Sequence, residues 1–223
     1  SDNTRSVAVG DMDGDGDLDI ITGNWAQQNV VYLNDGAGNF TSVRNFGTGA
    51  DYTQSVAVGD MDGDGDLDII AGNFYQPDMV YLNDGGGNFI PAGNFDIESD
   101  STYSVAVGDM DGDGDLDIVT SNLGQDAVYL NDGGGNFIPA GNFDIESGYT
   151  QSVAVGDMDG DGDLDIITGD SGQSVVYLND GAGNITSARN FGTGGDRTYS
   201  VATGDMDGDG DLDIITGNYQ QQN

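Results

Sequence analysis

Hydrophobic residues along this chain come in short runs, each closed by Gly, Asn or Asp. Val7-Ala8-Val9, Ile20-Ile21 and Val31-Tyr32-Leu33 are the first of them. No stretch carries apolar residues at a sustained 3.6-residue period, so helices are expected to be nearly absent. Short runs separated by turn-forming residues are the pattern of strands. They are predicted at Ser6–Gly10, Leu18–Gly23, Val30–Leu33 and Phe40–Asn45. Asn34-Asp35-Gly36, directly after the third run, marks a tight hairpin, because Asn, Asp and Gly tolerate positive φ.

The pattern then repeats. Asp-Met-Asp-Gly-Asp-Gly-Asp-Leu-Asp-Ile begins at Asp11, Asp60, Asp109, Asp157 and Asp205, at spacings of 49, 49, 48 and 48 residues. Val-Tyr-Leu-Asn-Asp-Gly-x-Gly-Asn begins at Val31, Val80, Val128 and Val176, four times and not five. The units are therefore 1–49, 50–98, 99–146 and 147–195, with a partial unit at 196–223. Four short antiparallel strands in about 40–50 residues make one propeller blade. The expected fold is an all-β propeller, a single repeat domain of about four and a half four-stranded blades. The partial unit has only its first two strands. An uncovered second strand offers unpaired N–H and C=O groups, so self-association or continuation in a longer array is expected.

Charge narrows the function. Forty acidic residues, 38 of them Asp, stand against four Arg with no Lys and no His, a net charge of −36. Such a chain repels phosphate and anionic lipid, which argues against nucleic-acid and membrane-surface binding, and no apolar run approaches membrane-spanning length, so no membrane insertion is expected. Without His or Cys there is no imidazole base, thiolate nucleophile or disulfide, and no enzyme is expected. Disorder, the other reading of high charge, fails because the acids recur at fixed offsets.

Those offsets carry the chemistry. Calcium takes six to eight oxygens at about 2.3–2.6 Å, and alternate residues of a tight loop can turn their carboxylates inward. In the first loop Asp11, Asp13, Asp15 and Asp19 are expected to give side-chain oxygens, and Asp17 its backbone carbonyl. Gly16 permits the reversal. The corresponding sets are Asp60, Asp62, Asp64, Asp66 and Asp68, then Asp109, Asp111, Asp113, Asp115 and Asp117. Asp157, Asp159, Asp161, Asp163 and Asp165 follow, then Asp205, Asp207, Asp209, Asp211 and Asp213. Five Ca²⁺ ions, one per loop, are expected. The loop starts like an EF-hand, but Thr22 stands where that loop needs a bidentate Glu, and the flanks are strands.

The Asp ladder at blade spacing resembles the FG-GAP/VCBS repeat family, similar to integrin α-chain propellers and the Psathyrella fungal lectin. The resemblance implies a calcium loop joining the first two strands of each blade. Where the units differ, a recognition surface is expected. After the second strand stand Trp25, Phe74, Leu123, Ser171 and Tyr219, and aromatics there can stack on a sugar or simply pack between blades. Nearby Gln27, Gln28, Gln76, Gln125, Gln173, Gln220, Gln221 and Gln222 can bond hydroxyls or simply fill polar loops. Asn39 and Asn184 open glycosylation sequons. The expected function is an extracellular, secreted or cell-surface calcium-binding propeller, a structural or adhesive module. The alternatives are a glycan-binding lectin and a filament subunit assembled through the partial blade, with a glycan or a surface protein as partner.

Overall fold

In the computed structural model, residues 3–95, 101–143, 149–195 and 197–219 are described. Every regular element among them is a strand. The first sheet holds β1 (Thr4–Gly10), β2 (Asp19–Asn24), β3 (Asn29–Leu33) and β4 (Ser42–Phe46). The second holds β5 (Thr53–Gly59), β6 (Asp68–Asn73), β7 (Met79–Asn83) and β8 (Phe89–Asn94). β9 (Thr102–Gly108), β10 (Asp117–Asn122), β11 (Asp126–Asn131) and β12 (Phe137–Phe143) form the third. The fourth comprises β13 (Thr150–Gly156), β14 (Asp165–Asp170), β15 (Ser174–Asn179) and β16 (Ile185–Phe191). β17 (Arg197–Gly204) and β18 (Asp213–Tyr219) pair alone. These are four blades and the first half of a fifth, in the strand order that hairpin connections impose.

The strand limits differ from the sequence pattern in an instructive way. β2 starts at Asp19 because Asp19 closes the ladder opposite Gly10, while Leu18 points away from the sheet and is exposed. The fourth strand of the first blade starts at Ser42, leaving Phe40 outside, whereas β8 starts at the equivalent Phe89. Opening strands carry a bulge, between Thr4 and Ser6 in β1 and between Thr53 and Ser55 in β5. The bulge rotates the threonine so that Thr53 Oγ1 donates to Asn73 Oδ1 at 2.9 Å and accepts from Asn29 Nδ2 at 2.8 Å.

The chain divides into two compact units. The first comprises residues 1–102 with the hairpin 132–136, and the second 103–131 with 137–223. The core of the first is Met12, Ile21, Val31, Phe46, Val56, Ile69 and Tyr81, drawn from both its blades. The second has two clusters, one around Met110, Val119, Val153 and Ile166, the other around Ile167, Val176 and Val201. Blades thus bury one another's faces, as twisted sheets packed side by side must. β6, β10 and β14 are buried along their whole length, but the equivalent β18 alternates exposed and half-buried. Among the described residues β18 has one strand neighbour, β17.

Candidate metal centres

Each aspartate loop joins the first two strands of a blade, and glycines at positions 4 and 6 set its course. Gly14 and Gly16 lie at φ +73° and +92°, where an L side chain is strained. The loop's N–H groups then turn onto the first carboxylate. Gly14 and Asp15 donate to Asp11 Oδ1 at 2.9 and 3.2 Å, and Gly16 donates to Oδ2 at 2.9 Å. The last carboxylate ties the loop to the sheet. Met12 N donates to Asp19 Oδ2 and Asn34 N to Asp19 Oδ1, both at 2.8 Å. Asn83, Asn131 and Asn179, each at the end of a third strand, repeat the second bond to Asp68, Asp117 and Asp165. These asparagines were not legible as part of the site from the loop's own sequence.

In all five loops three carboxylates converge, with ligand oxygens within 4.8 Å of one another. Positions 1, 3 and 9 do so in the last four loops: Asp60, Asp62 and Asp68; Asp109, Asp111 and Asp117; Asp157, Asp159 and Asp165; Asp205, Asp207 and Asp213. In the first loop Asp11, Asp13 and Asp15 converge. The position-5 carboxylate caps every loop, as Asp15 Oδ1 accepts from Asp17 N at 3.0 Å and Asp64 Oδ1 from Asp66 N at 2.9 Å. Position 7 turns away: the carboxylates of Asp17, Asp66 and Asp163 lie against Gly36, Gly85 and Gly181 of the neighbouring hairpin.

The converging oxygens are electrostatically frustrated. Asp13 Oδ1 and Asp62 Oδ1 are buried with no hydrogen-bond donor. Burial, then the charges of Asp15 and Asp19, raises the pKa of Asp13. Burial, then the charge of Asp64, does the same for Asp62. Burial pushes Asp68 and Asp117 up to about 6 even though backbone N–H groups oppose it. A hard cation resolves all of this, since it supplies the missing partner and cancels the repulsion. Oxygens 2.3–2.6 Å from one ion are at most about 5 Å apart, which the clusters satisfy. Residues at positions 1, 3 and 9 of the last four loops, and at positions 1, 3 and 5 of the first, would hold it.

The loops are not equal. All three members of the partial blade's trio, Asp205, Asp207 and Asp213, are exposed, whereas the last member of the middle three trios is buried. Two supports are missing there among the described residues. No third strand supplies an asparagine N–H to Asp213, and no hairpin covers Asp207 as Gly135 covers Asp62 and Gly183 covers Asp111.

The candidate recognition residues fall into separate groups. Trp25 lies 5.0 Å from Tyr52 and 5.4 Å from Phe74, ring centre to ring centre, with Phe74 4.3 Å from Tyr75. Arg5 sits over the Trp25 ring at 5.2 Å. Arg5 and Tyr75 went unread in the sequence because neither belongs to the repeat. Tyr219 pairs with Tyr199 in the second unit at 5.8 Å, and Leu123 is exposed. Gln27 and Gln76 accept from Asn3 N and Tyr52 N, and Gln28 and Gln173 donate to Phe46 O and Phe191 O. Gln220, Gln221 and Gln222 lie outside the described residues. Asn39 and Asn184 are exposed hairpin residues whose side-chain amides donate to Asp35 and Asp180.

No helix among the described residues is long and apolar enough to cross a membrane. Comparison with curated proteins finds no match. Among solved structures, an Agrocybe aegerita lectin that specifically recognises non-reducing terminal N-acetylglucosamine is similar at 28% identity and a TM-score of 0.60. The match covers 82% of this chain and 50% of the lectin, so the chain spans about half its length. The V. cholerae biofilm matrix protein Bap1 matches 97% of this chain and 35% of its own, at 17% identity and a TM-score of 0.55. The latter likeness is one of fold. The FG-GAP-like repeat model matches residues 11–71, 60–120, 110–168 and 157–216, each span running from one aspartate loop to the next. Matched by that model across residues 11–216, the chain belongs to the FG-GAP-like repeat family.

Proposed function

We propose that the chain is a calcium-binding β-propeller that serves as a non-catalytic structural or adhesive module outside the cell. The observation that carries this reading is the recurrent carboxylate trio with donorless buried oxygens at Asp13 and Asp62. Calcium suits it better than magnesium, which keeps its waters and demands octahedral geometry. Millimolar calcium outside cells would fill such sites, whereas cytosolic levels would leave weak ones empty. Isothermal titration of the metal-stripped chain tests it. Several Ca²⁺ ions per chain, little displaced by equimolar Mg²⁺, are expected; no heat and no bound calcium would refute it.

A second reading, glycan binding, is favoured by the Trp25 cluster and the similar lectin. Trp25, Tyr52, Phe74 and Tyr75 gather apolar ring surface beside the Arg5 cation, and Tyr75 is 69% exposed. Exposed aromatic faces beside hydrogen-bonding groups are suited to sugar rings. Titration with N-acetylglucosamine-terminated glycans, repeated on Tyr75→Ala, tests it. Saturable binding lost in the variant supports a lectin, and no binding by the parent refutes it.

A further inference from the structure

Asn83 touches two aspartate loops at once. Its backbone N–H donates to Asp68 Oδ1 at 2.8 Å, in the loop of its own blade. Its side-chain Nδ2 reaches the preceding blade and donates to Met12 O at 2.9 Å, and also to Leu67 O at 3.0 Å. Gly87 N donates to Asn83 Oδ1 at 3.1 Å, which holds the amide with its nitrogen toward Met12. Met12 is fixed from the other side by its own loop, because Met12 N donates to Asp19 Oδ2 at 2.8 Å. The Met12 carbonyl belongs to the peptide that leads into Asp13, whose Oδ1 is buried without a donor. A path of hydrogen bonds thus runs from Asp68 in one candidate centre, through Asn83, to the peptide that places Asp13 in the next.

The second unit repeats the arrangement. Asn179 N donates to Asp165 Oδ1 at 3.0 Å, and Asn179 Nδ2 to Met110 O at 2.7 Å. Met110 N donates to Asp117 Oδ2 at 2.7 Å, so here both ends of the path are members of a carboxylate trio. Gly183 N adds a second donor to Met110 O at 3.0 Å. The hairpins that follow the two asparagines lie over position 3 of the neighbouring loop. A Cβ on Gly87 would stand 3.7 Å from Asp13 Cβ, and one on Gly183 would stand 3.9 Å from Asp111 Cβ. Asn83, Asn179, Met12 and Met110 are all buried, so water does not replace a partner that moves away.

Two loops joined in this way do not rearrange independently. In an empty loop the converging carboxylates repel one another and drive the loop apart. Spreading of loop 11–19 draws Met12 O away from Asn83 Nδ2. Spreading of loop 60–68 displaces Asp68, and with it the Asn83 backbone that aims the same amide. We propose that Asn83 couples the cation sites of loops 11–19 and 60–68, and Asn179 those of loops 109–117 and 157–165, so that an ion in one loop of a pair raises the affinity of the other. The proposal rests on the reading of these loops as calcium sites and adds that they fill in pairs. The coupling is reciprocal and has the size of one hydrogen bond, about 2- to 10-fold in affinity. Asn83 and Asn179 act as positioning residues, through Met12 and Asp68 and through Met110 and Asp165.

Nuclear magnetic resonance of the ¹⁵N-labelled chain tests this, with free calcium set by a chelator buffer. The amides of Gly16, Gly65, Gly114 and Gly162 each donate to the first carboxylate of their own loop, so they report filling loop by loop. Asp62→Asn removes a carboxylate from loop 60–68 and relieves repulsion there, so it empties that site without straining the fold. The calcium midpoint at Gly16 is expected to rise about 2- to 10-fold in this variant, with Gly114 and Gly162 unmoved. Asn83→Ser keeps the backbone N–H but is too short to reach Met12 O. Adding Asp62→Asn to Asn83→Ser is expected to leave the Gly16 midpoint where Asn83→Ser alone puts it. A purely structural Asn83, or coupling through global folding, would leave the effect of Asp62→Asn intact in the Asn83→Ser background, and that result would overturn the proposal. So would a Gly16 midpoint that Asp62→Asn does not move. If Asn83→Ser does not fold, Asn179→Ser combined with Asp111→Asn, read at Gly162, makes the same comparison in the second unit. Glycine amides that ignore calcium altogether would refute the calcium reading and the coupling with it, whereas intact binding without coupling refutes the coupling alone.

Discussion

Removing calcium is expected to unfold this chain, and the geometry sets the size of the effect. In the Asp60, Asp62 and Asp68 trio the ligand oxygens lie within 4.8 Å of one another. Two unit charges at that distance repel by about 3–4 kcal/mol at an effective dielectric near 20. Asp68 accepts one backbone N–H on each carboxylate oxygen, from Asn83 and Met61, which offsets only part of its burial, and Asp62 Oδ1 has no donor at all. A bound ion relieves that strain in the folded state alone. For a dissociation constant of ~10 μM, free calcium at ~1 mM stabilises each site by about 2.7 kcal/mol. The first unit carries two trios and the second three, giving about 5 and about 8 kcal/mol. Each is comparable with the whole stability of a domain, about 5–15 kcal/mol. At about 4 °C per kcal/mol for units of this size, excess chelator should lower the melting temperature by about 20 °C or more, or abolish the transition. Thermal scans by circular dichroism with calcium, chelator and chelator back-titrated with calcium measure it. Superimposable melting curves in calcium and in excess chelator would refute the reasoning.

Further outcomes follow from individual residues. Asp68→Asn should cost one bound calcium per chain, whereas Asp66→Asn, whose carboxylate lies against Gly85, should keep the full complement; mass spectrometry under native conditions counts the ions. The Asp205–Asp213 loop should be the weakest site, so Asp213→Asn should remove only the last step of a calcium titration, and loss of a tight step would contradict this. Gly85→Ala, at φ +74° and with Asp66 in the path of its Cβ, should lower stability by at least about 1–2 kcal/mol in urea titration. Asp84 is held below 3.8 by the Asn88 side chain and by backbone N–H groups, so its contribution is present above the unfolded value and is lost as pH falls through the folded one. Asn88→Ala should move the Asp84 carboxyl pKa upward toward 3.8 in carbon-detected NMR, and an unmoved value would show that the turn amides alone hold it.

Local sequence determined the architecture because every blade is built from short-range instructions. Valine and isoleucine runs alternate with Gly-Asp turns, and a hairpin needs only its own turn residues to pair two strands, so sheet order 1-2-3-4 was readable from one unit. The loop's cation chemistry was readable for the same reason: Asp and Gly at fixed offsets act within nine residues. What the oxygens do individually was not readable. All five aspartates look alike in sequence, yet Asp11 gathers loop N–H groups, Asp19 ties Met12 of its own loop to Asn34, Asp17 rests on a glycine of the next hairpin and one oxygen of Asp13 is left without a donor. That division depends on Asn34 and Gly36, which lie some fifteen or more residues away and reach the loop only when β3 is in register with β2. Burial depends on still more distant chain. Val7 and Val56 occupy the same place in the same repeat, and one is exposed while the other is buried, because burial comes from a neighbouring blade and not from the unit's own residues. The repeat therefore encodes each blade and each loop, while packing between blades decides which faces, carboxylates and aromatic rings remain available for binding.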